Sequence, residues 1–355
     1  YTKDNPQTWK LAADIEYQYY TKIENESKAD PDNNELKKKY IDASAELLSY
    51  CIKYDSLLVL DAEMKPEDKE KEHKIYQPKG VNSAIQLLQA AQNYSNSENQ
   101  EELKQGAKYA EIFINAMENS NLMKDFKHAE LEGWKTYSKA FRAQSYLNIE
   151  GTPEETIVNA YKALFNTNFK GIAYQSLMNY YREKDKAKQN LYLQEGIDAL
   201  KGDAEQKDLR ANFVTILMQN QFQAGDKEGF MKTAEIMKTE FADDENAVNA
   251  YLMEGQFAFE AKDYETAKKA FLAGSEKYPD DEKCLLMAAR SAWMKAQTTG
   301  SKKEDMNEAI TLFKKLEAAN PESPELWGES LYVLYNNTQQ PKLAANYKKY
   351  YKSNK

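Results

Sequence analysis

The sequence contains little glycine, proline or valine. Its 13 Gly and 9 Pro in 355 residues are about half of the usual combined share of roughly 12%, and valine occurs only six times. Strands favour β-branched residues and their turns favour glycine. This composition therefore excludes most β and α/β folds and predicts an all-α chain.

An excess of positive charge is also absent. The chain carries 48 Lys and Arg against 57 Asp and Glu, a net charge of −9, and only four of the cations are Arg. A protein that binds nucleic acid needs a basic face to displace counterions from phosphates, and arginine is the residue best suited to bidentate contact with phosphates and bases. The sequence therefore predicts no nucleic-acid partner.

Cysteine and histidine, which carry catalysis or hold metals in many proteins, are few. Cys51 and Cys284 lie far apart in the chain and are predicted to be buried apolar residues without a disulfide between them. His73 and His128 are the only histidines, and this set of residues does not supply a Cys/His zinc site. No glycine-rich phosphate loop or nucleophile motif is present. We therefore predict a non-catalytic protein without a cofactor or a metal.

Long apolar runs are absent as well. No stretch of 18 apolar residues occurs, so the sequence predicts no transmembrane segment. The chain begins at Tyr1, a start that removal of an upstream leader would explain. This favours an exported protein, periplasmic or on the cell surface, with a trimmed cytoplasmic protein as the alternative.

What the chain does contain is helical periodicity. Apolar residues recur three and four positions apart along most of its length. Asn5-Pro6, Thr152-Pro153 and Ser323-Pro324 are typical helix starts, in which a capping residue precedes a proline of the first turn. The longest predicted helices cover about 6–25 and 36–60.

A charged segment, Met64 to Gly80, has prolines near both ends. It is predicted to be a linker or an excursion from the helical array. We accordingly divide the chain into an N-terminal helical region, residues 1–80, which is a cap or a set of degenerate repeats, and a helical repeat array, residues 81–355.

Internal repetition is the strongest feature. When the chain is compared with itself at an offset of 37 residues, identities concentrate in one region. The matched pairs are Asn212/Asn249, Gln219/Gln256, Phe222/Phe259, Ala224/Ala261, Asp226/Asp263, Glu228/Glu265, Lys232/Lys269, Asp243/Asp280, Asp244/Asp281 and Glu245/Glu282. Repetition at this period is typical of stacked supersecondary units, here a helix, a turn at the Asp and a second helix.

These units resemble the tetratricopeptide repeat (TPR), a family with two antiparallel helices in each unit of about 34 residues. In the unit that starts at Val248, the small and aromatic positions of the family match Tyr251, Gly255, Ala267, Phe271 and Gly274, and its terminal proline matches Pro279. The next unit matches at Ala309, Phe313, Leu316 and Pro321. The resemblance is clearest at residues 205–320. It implies a right-handed superhelical solenoid of about six to eight antiparallel helix pairs.

The resemblance also implies a binding groove. In the family, certain positions of the first helix of each pair, helix A, face a concave surface. Carried over to this chain, they give a row of candidate ligand-binding residues: Asn212, Gln219, Phe222, Asn249, Gln256, Phe259, Arg290, Trp293 and Tyr335, with Lys283 near the start of its helix A. Amides can hydrogen-bond an extended peptide and aromatic faces add apolar contact. The implied function is a scaffold that binds a protein or peptide segment.

Two interpretations of the aromatic row stay open. In the first, the rings contact a ligand. In the second, they wedge between helices and belong to the core, an arrangement that is common by composition alone in a chain with 12% aromatic residues. Two alternative functions also stay open. One is a carbohydrate- or small-ligand-binding module that uses the aromatic row, and the other is an α/α glycan-processing enzyme, for which carboxylates are abundant.

Overall fold

The computed structural model describes residues 3–300 and 302–351, and these form sixteen α-helices and no β-strand. The all-α prediction is confirmed. The helices are α1 Pro6–Ala29, α2 Asn34–Leu60, α3 Pro66–Tyr94, α4 Gln100–Asn119, α5 Leu131–Asn148, α6 Glu154–Lys162, α7 Lys170–Tyr181, α8 Lys186–Ala199, α9 Lys207–Gln223, α10 Lys227–Glu240, α11 Ala247–Glu260, α12 Tyr264–Lys277, α13 Glu282–Thr298, α14 Lys303–Ala319, α15 Gly328–Asn337 and α16 Pro341–Tyr347. Four single-turn 3₁₀ segments join them: Asn121–Met123, Ala204–Gln206, Pro324–Leu326 and Lys348–Tyr350.

The chain divides into two compact units, Tyr1–Asp185 (unit 1) and Lys186–Lys355 (unit 2). Within each unit, every helix packs chiefly against the helix before it and the helix after it. This sequential neighbour packing is the arrangement expected of a helical repeat, in which each pair covers an apolar face of the next.

The core of unit 1 lies between α2, α3 and α4. Leu47 and Leu48 of α2, Leu87 of α3 and Phe113 of α4 are completely buried there. Leu122, from the 3₁₀ segment after α4, is also completely buried in this cluster. The connection between α4 and α5 is therefore anchored in the core by an apolar side chain.

Two glycines of unit 2 permit close helix packing. A Cβ atom on Gly255 of α11 would lie 2.6 Å from the Cδ1 and Cζ atoms of the Phe271 ring in α12. A Cβ atom on Gly274 of α12 would lie 2.7 Å from Cys284 Sγ in α13 and 2.8 Å from Tyr251 Cβ in α11. Since packed carbon atoms normally lie about 3.5–4.0 Å apart, only glycine fits either position without displacement.

The turns that join paired helices share one backbone conformation. Gly225 (φ 70°) precedes α10 and Lys262 (φ 61°) precedes α12 at the equivalent repeat position. The next residue, Asp226 or Asp263, caps its helix by accepting a hydrogen bond from the backbone N–H of Gly229 or Thr266, respectively. Asp226 and Asp263 are thus N-caps, which satisfy otherwise unpaired amides of the first turn.

Several local predictions can be compared with the structure. The helices predicted at 6–25 and 36–60 are observed as α1 and α2, and Asn5 caps α1 by accepting from the Gln7 amide. Neither Thr152 nor Ser323 supplies a side-chain cap, because the Thr152 hydroxyl donates back to the Ile149 carbonyl and Ser323 precedes a 3₁₀ turn. These two cap predictions were wrong.

The predicted linker at Met64 to Gly80 was also wrong. Pro66 occupies the first turn of α3, where proline is well tolerated, and Pro78 lies inside the same helix. The helix continues because Tyr76, Gly80 and Val81 pack in the core, and tertiary burial outweighs local propensity. Residues 80 and 81, where the sequence analysis places a domain boundary, lie inside α3. The assignment of 1–80 as a cap stays a prediction.

Both cysteines are free and buried, as predicted. Among the described residues, no helix is long and apolar enough to cross a membrane.

A candidate peptide groove in unit 2

A groove of about 410 Å³ opens on the first helices of successive hairpins in unit 2. Residues of α9, α11, α12 and α13 line it: Phe222, Asn249, Leu252, Met253, Gln256, Phe271, Lys283, Leu286, Met287 and Arg290. We call this surface the α11–α13 groove. It is the feature of unit 2 that brings the largest number of sequence-predicted site residues together.

The two long walls of the groove carry the same pattern. On α11, Asn249 and Gln256 lie seven residues apart, and on α13 Lys283 and Arg290 have the same spacing. Seven residues are close to two helical turns, so the two polar residues of each wall lie on one face. Between them each helix places an adjacent Leu-Met pair. The groove is therefore polar at both ends of each wall and apolar in the middle.

The apolar middle is built on a fixed support. Phe271 is only 1% exposed and packs over Gly255, while the leucines and methionines of the walls are partly exposed. The Phe271 ring is held by the close approach of α11 and α12. Met253 and Met287, unbranched and polarizable, suit a surface that adapts to varied apolar side chains.

The charge of the groove is opposite to that of the chain. Its ten lining residues include two cations, Lys283 and Arg290, and no carboxylate, whereas the chain carries a net charge of −9. Both cations are exposed, and neither forms an ion pair with any other residue that the structure describes. They are therefore available to a negatively charged ligand.

The amides of the groove are also largely available. Gln256 donates from Nε2 to Glu260 Oε1 at 2.9 Å, which leaves its own carbonyl oxygen as an acceptor. The side chain of Asn249, half-buried on the same wall, forms no hydrogen bond within the described residues. The α11 wall thus presents both donors and acceptors to the groove.

The structure places four of the nine candidate residues in the groove lining and five outside it. Phe222, Asn249, Gln256 and Arg290 line the groove, as does Lys283. Phe222 lies at its edge, with its ring centroid 4.8 Å from that of Phe257 and 6.1 Å from that of Phe230.

The three remaining aromatic candidates pack against the second helix of their own hairpin. Phe259 contacts Tyr264 with ring centroids 5.1 Å apart, and Trp293 contacts Phe313 at 6.1 Å. Tyr335 is 7% exposed and stacks on Tyr347 at 5.7 Å. None of the three lines the groove. These three aromatic side chains therefore pack with the core of unit 2.

The two candidates on α9 also lie outside the groove lining. Asn212 is exposed and Gln219 is half-buried. Sequence reasoning named the polar wall residues but missed the apolar ones, Leu252, Met253, Leu286 and Met287. A signal was present, because the Leu-Met pair recurs with the same position in α11 and α13.

No protein-family model matches the chain. A search of curated proteins likewise finds no match. Within residues 3–300 and 302–351, no group of three or more His, Cys, Asp or Glu side chains is placed to hold a metal ion.

Proposed function

We propose that this protein is a non-catalytic, TPR-like scaffold that binds a segment of a protein partner in the α11–α13 groove. In this proposal the hairpins form a right-handed solenoid and the first helices line its concave face. The observation that supports the proposal most is the lining itself, in which two unpaired cations and two amides surround an apolar floor without any carboxylate.

This lining favours a peptide with apolar side chains next to acidic ones. The floor offers the partly exposed faces of Leu252, Met253, Leu286 and Met287, and each apolar side chain that becomes fully buried contributes about 1.5–3 kcal/mol. Charges at the rim add less to affinity, but they speed association and select partners of opposite charge. Lys283 and Arg290 would thus select acidic segments.

The same lining gives less support to the alternatives. A sugar site would need exposed flat rings, but Phe271 is buried and only Phe222 supplies a half-buried ring at one edge. A glycan-processing site would need two converging carboxylates, and none lines the groove. Peptide binding is therefore the function that we propose.

A displayed library of random peptides tests this proposal. Peptides selected on the unaltered protein should be enriched in Asp or Glu next to Leu, Ile, Phe or Met, and their binding should weaken as salt rises, because exposed charge pairs are screened. Lys283→Glu with Arg290→Glu should abolish this enrichment or reverse its charge preference.

A matched control reverses the same charges elsewhere in unit 2. Lys277 and Lys315 are exposed and lie outside the groove lining, so Lys277→Glu with Lys315→Glu changes the net charge equally. This control variant should select the same acidic peptides as the parent. The proposal fails if both double variants lose the peptides equally, or if the parent enriches no acidic sequence.

A further inference from the structure

In unit 1, His73 of α3 lies between two carboxylates. Its Nδ1 atom is 2.6 Å from Asp55 Oδ1 in α2, and its Nε2 atom is 3.1 Å from Asp125 Oδ1. Asp55 is only 1% exposed, whereas the side chain of Asp125 is 70% exposed. One imidazole therefore joins a buried carboxylate to one near the surface.

The exposed partner belongs to a segment that several side chains hold in place. We call residues 121–125, which follow α4, the docked segment. Asn121 Nδ2 donates to Asp55 Oδ2 at 2.7 Å, and Gln77 Nε2 donates to the Leu122 carbonyl at 2.8 Å and to Asp125 Oδ1 at 2.7 Å. The segment is thus attached to both α2 and α3 through polar contacts that meet at His73.

Docking of this segment also buries apolar surface. Leu122 is 0% and Met123 is 4% exposed. Both lie against Gly80 of α3, where a Cβ atom would be 2.7 Å from Leu122 Cδ2 and 3.3 Å from Met123 Cε. Release of the segment would open this part of the core.

We propose that His73 is a proton-controlled clasp, which holds the docked segment against α2 and α3 when protonated and loosens it when it loses its proton. An imidazolium donates from both ring nitrogens, so it can satisfy Asp55 and Asp125 together. A neutral imidazole donates from one nitrogen only. The proton remains toward Asp55, because loss of a hydrogen bond costs a buried carboxylate more than an exposed one, and Asp125 then faces a lone pair.

The charges around the clasp support this assignment. Asp55 of α2 faces His73, and so do Asp125 and Lys124 of the docked segment. Lys69, Glu70 and Lys74 are the nearby charged residues of α3 itself. Lys69 donates to the Val59 carbonyl and Lys74 pairs with Glu70 at 2.5 Å. Neither of these lysines is bonded to Asp55 or Asp125, so His73 is the cation that links the two carboxylates.

The direction of the pH effect follows from the environment of the ring. Burial by itself lowers the pKa of His73, but the hydrogen bonds and negative charges of Asp55 and then Asp125 outweigh it and raise the pKa overall. The ordinary imidazole pKa is about 6.5. The clasp therefore contributes fully below that value, and its contribution is lost as the pH rises through the raised pKa. The ratio of docked to undocked segment therefore falls as the pH rises between the pKa of His73 with the segment released and its pKa with the segment docked.

A histidine titration by nuclear magnetic resonance tests the clasp in the full chain. The chain has two histidines, so His128→Gln assigns both imidazole signals. We expect His73 to titrate above the ordinary value, and Asp125→Asn to lower its pKa because one of the two negative partners is removed. Asp32→Asn, in the exposed turn between α1 and α2, removes the same charge at a distance and should leave the His73 pKa unchanged.

Hydrogen exchange tests whether titration moves the segment. The amides of Met123, Lys124 and Phe126 are hydrogen-bonded to Ser120, Asn121 and Met123 carbonyls, so their protection can be measured. After correction for intrinsic exchange rates, protection should fall above the pKa of His73 in the parent and should already be low in Asp125→Asn. The clasp is refuted by a His73 pKa at or below the ordinary value, by absence of titration up to pH 10, or by protection that does not change with pH.

Discussion

Replacement of Gly255 by alanine should destabilise unit 2 although alanine is the better helix former. In an exposed helix this change would be favourable by about 1 kcal/mol. Here the new methyl group would lie 2.6 Å from two carbons of the Phe271 ring, about 1 Å inside normal contact distance. Overpacking of this kind typically costs about 1–3 kcal/mol. Because the overlap with the ring is severe, we take the upper part of this range, about 2–3 kcal/mol. After the gain in helix propensity is subtracted, we expect a net loss of about 1–2 kcal/mol in the free energy of unfolding.

Urea unfolding monitored by tryptophan fluorescence can measure this loss in unit 2 alone. Trp9 and Trp134 lie in unit 1, and Trp293 and Trp327 lie in unit 2. A background with Trp9→Phe and Trp134→Phe leaves only the unit 2 reporters. Gly255→Ala in that background should lower the urea midpoint without changing the slope of the transition.

Two controls separate overpacking from helix propensity. Gly133 in α5 is exposed, and the nearest atom to an added Cβ is Tyr137 Cε2 at 3.9 Å. Gly133→Ala should therefore stabilise unit 1 by about 0.5–1 kcal/mol, as judged in a background with Trp293→Phe and Trp327→Phe, which leaves only the two tryptophans of unit 1. In unit 2, Phe271→Leu makes room for the methyl group, so its effect should combine less than additively with that of Gly255→Ala. If Gly255→Ala is as stable as its parent, or if the two effects simply add, the close-approach argument is wrong.

Two further predictions concern a turn and the thiols. Lys262→Gly should stabilise unit 2 by about 1 kcal/mol, because Lys262 holds a positive φ of 61° that costs a non-glycine residue about 1–2 kcal/mol. Gly225→Ala, at the equivalent turn, should destabilise unit 2 by a similar amount. Urea midpoints equal to that of the parent would contradict this prediction. Burial raises the pKa of both Cys51 and Cys284 to about 12. A thiol reagent at pH 8 should therefore label neither cysteine in the folded protein and both in denaturant. Fast labelling of the native chain would refute the burial.

The sequence predicts the all-α class and the hairpin repeat well because both depend on local, periodic signals. Helix period, the Asp caps at 226 and 263 and the small residues Gly255 and Gly274 are each visible in the residues themselves. The linker prediction failed because proline and charge are local signals too, whereas α3 is held by core contacts of Tyr76 that only the tertiary structure supplies.

The candidate site divides in a similar way. The positions of Asn249, Gln256 and Arg290 follow from helix register, and the structure places all three on one groove. The aromatic row was ambiguous because a ring at a fixed repeat position can turn toward a ligand or toward its partner helix. Phe259 and Trp293 turn toward the partner helix, where Tyr264 and Phe313 supply a second ring. Sequence spacing alone does not fix that choice.

Gly274 also affects how the α11–α13 groove would bind a ligand. It contacts Tyr251 of α11 on one side and Cys284 of α13 on the other, so the backbone of α12 acts as a spacer that sets the distance between the two groove walls. A spacer made of backbone has no rotamers to rearrange. The spacing of the groove walls is therefore pre-organised, and a ligand would lose little binding free energy to ordering the receptor backbone.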